Sequence, residues 1–403
     1  MRECAGAASH MSFPDARPAV AIIANSLTPY RLNLHQRLAR DIPEIRLWSV
    51  FTHHVSNAHW SVSATSDIGP IYFGAEERSQ DQSRLMRQPH EWGKAGQIIR
   101  WLRQQRVRCV ILFGYNDAGR LRILRFCRQH RLPCLIFGDS NILCDHPPAP
   151  KRLIKKLMLP RVLGACAAVL HCGTLGRAYF EKYGVPATKL FPFPYEPDYS
   201  LLKRVPQDLI ASVRQRFQLL PDRAHLLYSG RLAPEKRVDL LLRAFAQIAS
   251  ERPRWNLVIA GDGPLRERLR ELVPAHLTPR VRWTGFIDDT ATMAAIYRCC
   301  DVFVLPSDYE PWGVAVTEAA TGLALVCSSV VGAAADLIQE GVNGRVFPRG
   351  DSSGLLEALR DVTRDEVFPR MKELSPVVLA AWHSQNDPVI GLRRALASAG
   401  VLT

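Results

Sequence analysis

The sequence predicts an α/β protein built on doubly wound parallel sheets. Short apolar runs of strand type, bounded by Gly, Pro, Asp and Ser, alternate with helical segments along most of the chain. The alternation pauses near residue 200, after a stretch holding Pro192, Pro194 and Pro197, and then restarts. Such a stretch continues neither a helix nor a central strand. With 403 residues and 47% apolar residues, the chain is long enough for two or three domains with sizeable cores.

In the first half, Val20 to Ala24 is a buried-type strand, and Asn25 to Arg31 reads as a turn. Residues 31–40 have helical spacing, with Leu32, His35 and Leu38 on one side, and Ile45 to Phe51 is the second strand. Residues 53–90 are polar and irregular and include His53, His54, His59 and Trp60. A loop of that length is functional or disordered. Ile98 and Trp101–Leu102 belong to an amphipathic helix before the strand Cys109–Phe113, whose end carries the loop Gly114 to Gly119. A further helix leads to the strand Cys134–Phe137, which ends in Gly138-Asp139-Ser140-Asn141. Ala167 to Leu170 is the last clear strand of this half. Between them, residues 151–163 read KRLIKKLMLPRVL. On a helix, Leu153/Leu157 and Ile154/Met158 form an apolar face, and Lys151/Lys155 and Arg152/Lys156 are basic pairs. Such a helix either buries its apolar side in the core, the commoner case, or lies on an anionic membrane.

The second half repeats the pattern. Leu226–Ser229 is a strand, and Lys236 to Ser250 a helix with Val238, Leu241, Leu242, Phe245 and Ile248 inward. Leu257–Ala260 is a strand, Leu265–Leu272 a helix and Val281–Thr284 a strand. The densest unit runs from Asp301 to Gly332: a strand at Val302–Leu305, a loop of turn formers and acids, a small-residue helix opened by Gly313, and a strand at Leu323–Val326. Beyond Phe347 the pattern is helical.

Charge and cysteine usage narrow the function classes. Net charge is +14; residues 1–200 carry +12 of it and residues 201–403 only +2. A basic half suits nucleic acid, an anionic membrane or anionic substrates. No nucleic-acid motif is present, so the last two are expected. No apolar run of about 18 residues predicts a membrane span. Residues 1–16 lack an apolar stretch long enough for a signal peptide and read as a disordered leader. The ten Cys include no C-x-x-C pair and sit mostly in apolar context, which suits a reducing cytoplasm. Cys144, Asp145 and His146 are three polar neighbours with no second cluster, more in keeping with a loop than a metal site.

In doubly wound sheets, ligands bind beyond the carboxyl ends of the strands. The polar residues at those ends are therefore the candidates. Gly230-Arg231-Leu-Ala-Pro-Glu-Lys236 leaves one strand, with two cations that can meet an anionic ligand. Gly261-Asp262-Gly263-Pro264 ends the next and is common turn chemistry on its own. Glu310 precedes the helix opened at Trp312–Gly313, whose N–H groups suit a phosphate, and Glu318 lies within it. A lone loop Glu is usually only solvated; the composite is far more specific.

That composite, Glu310-Pro-Trp-Gly-Val-Ala-Val-Thr-Glu318 together with Gly230-Arg231-x4-Lys236, resembles the retaining glycosyltransferases of the GT-B fold, family 4 type, also called group 1 glycosyl transferases. The resemblance is strong from about Leu226 to Phe347. It implies two Rossmann-like doubly wound domains facing across a cleft. The acceptor-binding domain would span 17–200 and the nucleotide-sugar domain 201–380, with a terminal helix at 381–403 crossing back to the first domain. It implies transfer of a hexose-type sugar from a nucleotide diphosphate sugar, with retention, to a lipid-linked or growing glycan acceptor at the inner face of the cell membrane. Arg231 and Lys236 would bind the diphosphate, and Glu310 would face the donor sugar or reacting centre. Glu318 would bind the ribose hydroxyls, and Gly261, Asp262 and Gly263 would line the nucleotide, with the base near Phe286 and Ile287. Trp312, Gly313 and Val314 would offer backbone N–H groups. No cofactor or metal is expected, because Asp288–Asp289 is not the Asp-x-Asp of the other major glycosyltransferase fold.

The first half departs from the better-known members. Ser26 to Arg31 stands where many have a Gly-Gly loop, and Gly138-Asp139-Ser140 where some have a His. A nucleotide-sugar 2-epimerase and a non-catalytic nucleotide-sugar-binding component of a glycan assembly complex are the alternatives. The Glu310-Pro-Trp-Gly context argues against the first, and intact Arg231, Lys236, Glu310 and Glu318 against the second.

Overall fold

The computed structural model describes residues 16–55, 68–74, 77–78, 82 and 84–402. Nearly all of the expected leader, and His59 and Trp60 of the long loop, lie outside the described residues.

Two parallel sheets form the framework. The first holds β1 (Ala19–Ala24), β2 (Arg46–Phe51), β3 (Ile71–Tyr72), β4 (Cys109–Phe113), β5 (Cys134–Gly138), β6 (Ala168–His171) and β7 (Leu190–Pro192). The second holds β8 (Ala224–Ser229), β9 (Trp255–Ala260), β10 (Val281–Gly285), β11 (Val302–Leu305), β12 (Ala324–Ser328) and β13 (Gly344–Phe347). Helices cover both faces, so central strands such as β1, β4 and β11 are apolar at every position; all six residues of β1 are buried. The edge strands β3, β7 and β13 escape a pattern search because they are short or half-exposed. Pro192 is tolerated because β7 is an edge, where a missing N–H leaves no ladder bond unmade.

The strand orders locate the ligand-binding ends. The first sheet runs β3-β2-β1-β4-β5-β6-β7, reversing between β1 and β4. The second runs β10-β9-β8-β11-β12-β13, reversing between β8 and β11. At such a switch the adjacent loops diverge and leave a crevice. The helix Pro388–Ser398 packs against β6 and β7, whereas Phe368–Asn386 packs against β12 and the short helix Ala334–Leu337.

Three segments differ from the sequence expectation. The helix expected from Lys236 begins only at Val238, because Arg237 takes a left-handed conformation, φ +51°. Lys236 therefore closes a separate 3-10 turn, Pro234–Lys236. The helix after Gly313 is short, Val314–Ala319. The basic helix, Ala149–Gly164, does not bury the face expected to enter the core: only Leu159 and Leu163 are buried, while Leu153, Ile154, Leu157 and Met158 are exposed.

Candidate active site

The loops leaving β8 and β11 meet at the switch of the second sheet. The Lys236 ammonium donates to Glu310 Oε2 across a separation of 74 residues. Next to it, the Asp308 N–H donates to Glu235 O at 2.8 Å, and Arg237 Nη1 to Asp308 Oδ2 at 2.7 Å. Arg349 Nε lies 3.8 Å from the other Asp308 oxygen. Arg231 is placed differently: its side chain is mostly exposed, and Nη2 bonds Glu235 Oε1 at 2.7 Å. Four cations therefore stand around this crevice, and Lys236 is the one joined to Glu310.

A second wall comes from the ends of β8, β9 and β10. The Gly230 N–H donates to Ala260 O at 3.0 Å, Leu232 N–H to Asp262 O at 2.9 Å, and Gly261 N–H to Gly285 O at 2.9 Å. This lacing brings Gly230, Gly261 and Gly285 side by side. Asp262 turns inward on its own loop, accepting from Gly263 N–H at 2.7 Å and from Arg266 Nη1 at 2.9 Å. Phe286 follows Gly285 and is partly exposed, and Ile287 packs on the core.

Glu318 faces the end of Tyr297, whose hydroxyl donates to Oε2 at 2.7 Å. Burial pushes the carboxyl up to about 7, with the Tyr297 bond pulling the other way. Sequence reasoning gave Tyr297 no role, since a tyrosine in an apolar helix reads as core. The Trp312 indole is buried: its Nε1 donates to Tyr195 O at 3.1 Å, and the ring stacks on Trp382 at 5.7 Å. Gly313 caps the helix at φ +94°, followed by half-buried Val314. Asp289, next to Asp288, caps the helix Thr290–Cys299 by accepting from Ala291 and Thr292.

The first domain contributes a facing wall that the motifs do not name. Arg31 is buried at the start of the helix Pro29–Asp41 and donates to Asn25 Oδ1 at 2.5 Å, Ser26 O at 2.6 Å and the Tyr195 hydroxyl at 3.2 Å. Asp139 follows β5. Crowding of its carboxyl by protein atoms raises it above the usual range, and nearby Arg31 opposes the rise. Asn141 Nδ2 reaches Val330 O of the second domain at 2.9 Å, and Cys144 Sγ reaches the same oxygen at 3.7 Å.

Two clusters resemble metal sites only superficially. His53, Glu77 and Glu91 have ligand atoms within 4.8 Å of one another. The Lys94 ammonium already neutralises them, 2.7 Å from Glu77 Oε2 and 3.0 Å from Glu91 Oε1. Asp145 is taken by Lys155, Lys182 and the Tyr183 hydroxyl. Burial would raise its carboxyl, but these bonds outweigh it and bring it down to about 2.

Residues 211–376 match the family model for glycosyl transferases group 1. The chain is 33% identical over 189 residues to an alpha-D-kanosaminyltransferase of Streptomyces kanamyceticus, covering 46% of this chain and 48% of that one. The chain thus spans about half the length of that curated relative, and less of the next ones. Solved structures match almost end to end at low identity. Anabaena HepE in complex with UDP and glucose aligns with TM-score 0.70 and 16% identity over 96% of this chain and 100% of that one. Sucrose-phosphate synthase from Thermosynechococcus elongatus aligns with TM-score 0.74 and 19% identity over 95% and 100%. With two parallel sheets facing across a crevice, and the family match falling on the sheet that carries Lys236, Glu310 and Glu318, residues 211–376 are similar to the group 1 glycosyl transferases, and the chain has the GT-B fold.

Proposed function

We propose that the protein transfers a hexose-type sugar from a nucleotide diphosphate sugar to a lipid-linked or growing glycan acceptor, with retention of configuration. The observation that carries this is the Lys236–Glu310 pair, assembled from two distant loops at the switch between β8 and β11. Breaking a glycosyl–phosphate bond leaves negative charge on the diphosphate and positive character on the sugar. Lys236 serves the first, helped by Arg231 once its side chain swings from Glu235 toward the ligand. Glu310, held beside Lys236, serves the second. Glu318 takes the ribose hydroxyls, and Phe286 and Ile287 border the base. Gly230, Gly261, Asp262 and Gly263 form the nucleotide wall, with Trp312, Gly313 and Val314 supplying backbone at the sugar side. The UDP- and glucose-bound relative of the same fold supports a nucleotide-sugar donor. The acceptor is held by the first domain, and the enzyme works as a peripheral protein at the inner face of the membrane, with no metal or cofactor.

The test separates the two glutamates and the lysine. A panel of UDP and GDP sugars in a thermal-shift assay selects the donor, since a ligand of the folded state raises its stability. Glu310→Gln then lowers turnover with a nearly unchanged Michaelis constant, because its role is in the transition state. Glu318→Gln chiefly raises the Michaelis constant for donor. Lys236→Ala loses about tenfold or more in donor affinity and rate, the scale of one charge-assisted contact. Normal turnover of Glu310→Gln at saturating donor would sink the reading.

A further inference from the structure

The helix Ala149–Gly164 has its apolar residues on the wrong side for packing. Leu153, Ile154, Leu157 and Met158 are 60%, 62%, 52% and 52% exposed, whereas Leu159 and Leu163 face the core. At 3.6 residues per turn the exposed four form a band roughly 140° wide, centred opposite the buried pair. Lys151 borders one side of this band and Lys156 the other, and Arg161 lies within it. The helix holds five Lys and Arg and no Asp or Glu.

We propose that this face is a docking surface for an anionic membrane. A second copy of the chain is a poor occupant, because pairing two such faces brings like charges together. An anionic lipid surface instead matches both features: headgroups take the basic flanks, and the acyl boundary takes the leucines, Ile154 and Met158. The one base turned inward, Lys155, ties the helix to the acceptor side of the cleft. Its ammonium lies 4.7 Å from the centre of the Tyr179 ring and bonds Asp145. Asp145 directly follows the turn Ile142–Cys144, whose capping residue Asn141 crosses to the second domain. A docked helix thus sets the loop 138–145, and with it the mouth of the cleft, beside the bilayer. That orientation rests on the proposed lipid-linked acceptor; the surface itself does not.

Co-sedimentation of the full chain with vesicles tests it. Binding is expected to vesicles of equal parts phosphatidylglycerol and phosphatidylcholine, and to fall with added salt. Lys151→Gln, Lys156→Gln and Arg161→Gln together lower the partition coefficient roughly a hundredfold. Leu153→Gln, Ile154→Gln, Leu157→Gln and Met158→Gln together abolish it, while the melting temperature and UDP binding in solution stay at wild-type values. Equal binding of wild type and the apolar variant overturns the proposal. So does a wild-type dimer in size-exclusion chromatography that the apolar variant converts to monomer. Vesicle binding without any nucleotide-sugar binding would instead leave this surface standing and remove the transferase reading.

Discussion

Glu318 concentrates the physical tension of the site in one carboxyl. Burial holds it up at about 7, against an ordinary 4.5, while Tyr297 donates to it at 2.7 Å. In the folded protein it keeps its proton to a higher pH than in the unfolded chain. Its contribution to stability is therefore greatest below pH 4.5 and declines as pH rises from there through about 7, by at most roughly 3 kcal/mol. Glu318→Gln removes that decline, which thermal melts at a series of pH values would record as a flatter profile. Donor hydroxyls prefer the ionised acceptor, so donor affinity of the wild type is expected to improve from pH 6 to pH 8 and that of Glu318→Gln to stay level. An unchanged pH profile in the variant would contradict both statements. The sequence singled out Glu318 by its spacing from Glu310; its raised proton affinity comes from burial in the fold, opposed by Tyr297, 21 residues away in sequence.

Among the elements, the glycine loops at the ends of β8 and β9 pack tightly against each other. Gly261 takes φ +146°, and a Cβ there would lie 1.9 Å from Gly230 O. Gly261→Ala therefore forces the β8 and β9 loops apart, at a cost of roughly 2–4 kcal/mol. The expected result is a lower urea midpoint together with loss of UDP binding. A variant as stable as wild type would mean the loops yield freely. The Gly-Asp-Gly turn was legible as a turn from composition alone. That it must touch the neighbouring loop follows only from the parallel register of Tyr228 with Ile259 and Ser229 with Ala260. Arg237 carries the same lesson. Its side chain bonds Asp239 two residues on, but the bond to Asp308, 71 residues away, comes only from the fold.

At the scale of the whole molecule, the second domain clasps the first at Asp336. Its carboxylate accepts from the Thr174 N–H at 2.9 Å and the Thr174 hydroxyl at 2.7 Å, capping the first turn of the helix Gly173–Lys182 from across the interface. Trp382 donates to the same carboxylate at 3.2 Å. Gly173 has φ +60°, and a Cβ on it would meet Asp336 at 2.2 Å and Trp312 at 2.5 Å, so the contact is close enough to require a glycine. Asp336→Ala removes two bonds of about 1 kcal/mol each between the domains. The unliganded variant is expected to show a larger radius of gyration in small-angle X-ray scattering and slower turnover, with the melting temperature little changed. An unaltered scattering profile would show that the clasp does not hold the domains together.

The sequence by itself determined the α/β class, the two sheets, most strands to within two residues, and the group 1 signature. These features are local: apolar runs of strand length, turn residues at their ends, and a motif confined to nine residues from Glu310 to Glu318. Only the tertiary structure decided which charges meet. Arg231 and Lys236 are equivalent in the motif, yet Arg231 lies out against Glu235 and Lys236 in against Glu310. The amphipathic period of residues 151–163 was equally clear in sequence, but periodicity defines faces without saying which one meets the core. Leu159 and Leu163 settled that by packing under the helix, leaving the wider apolar face outside. Pairing and burial depend on neighbours brought from far along the chain, and a single sequence carries no record of those distances.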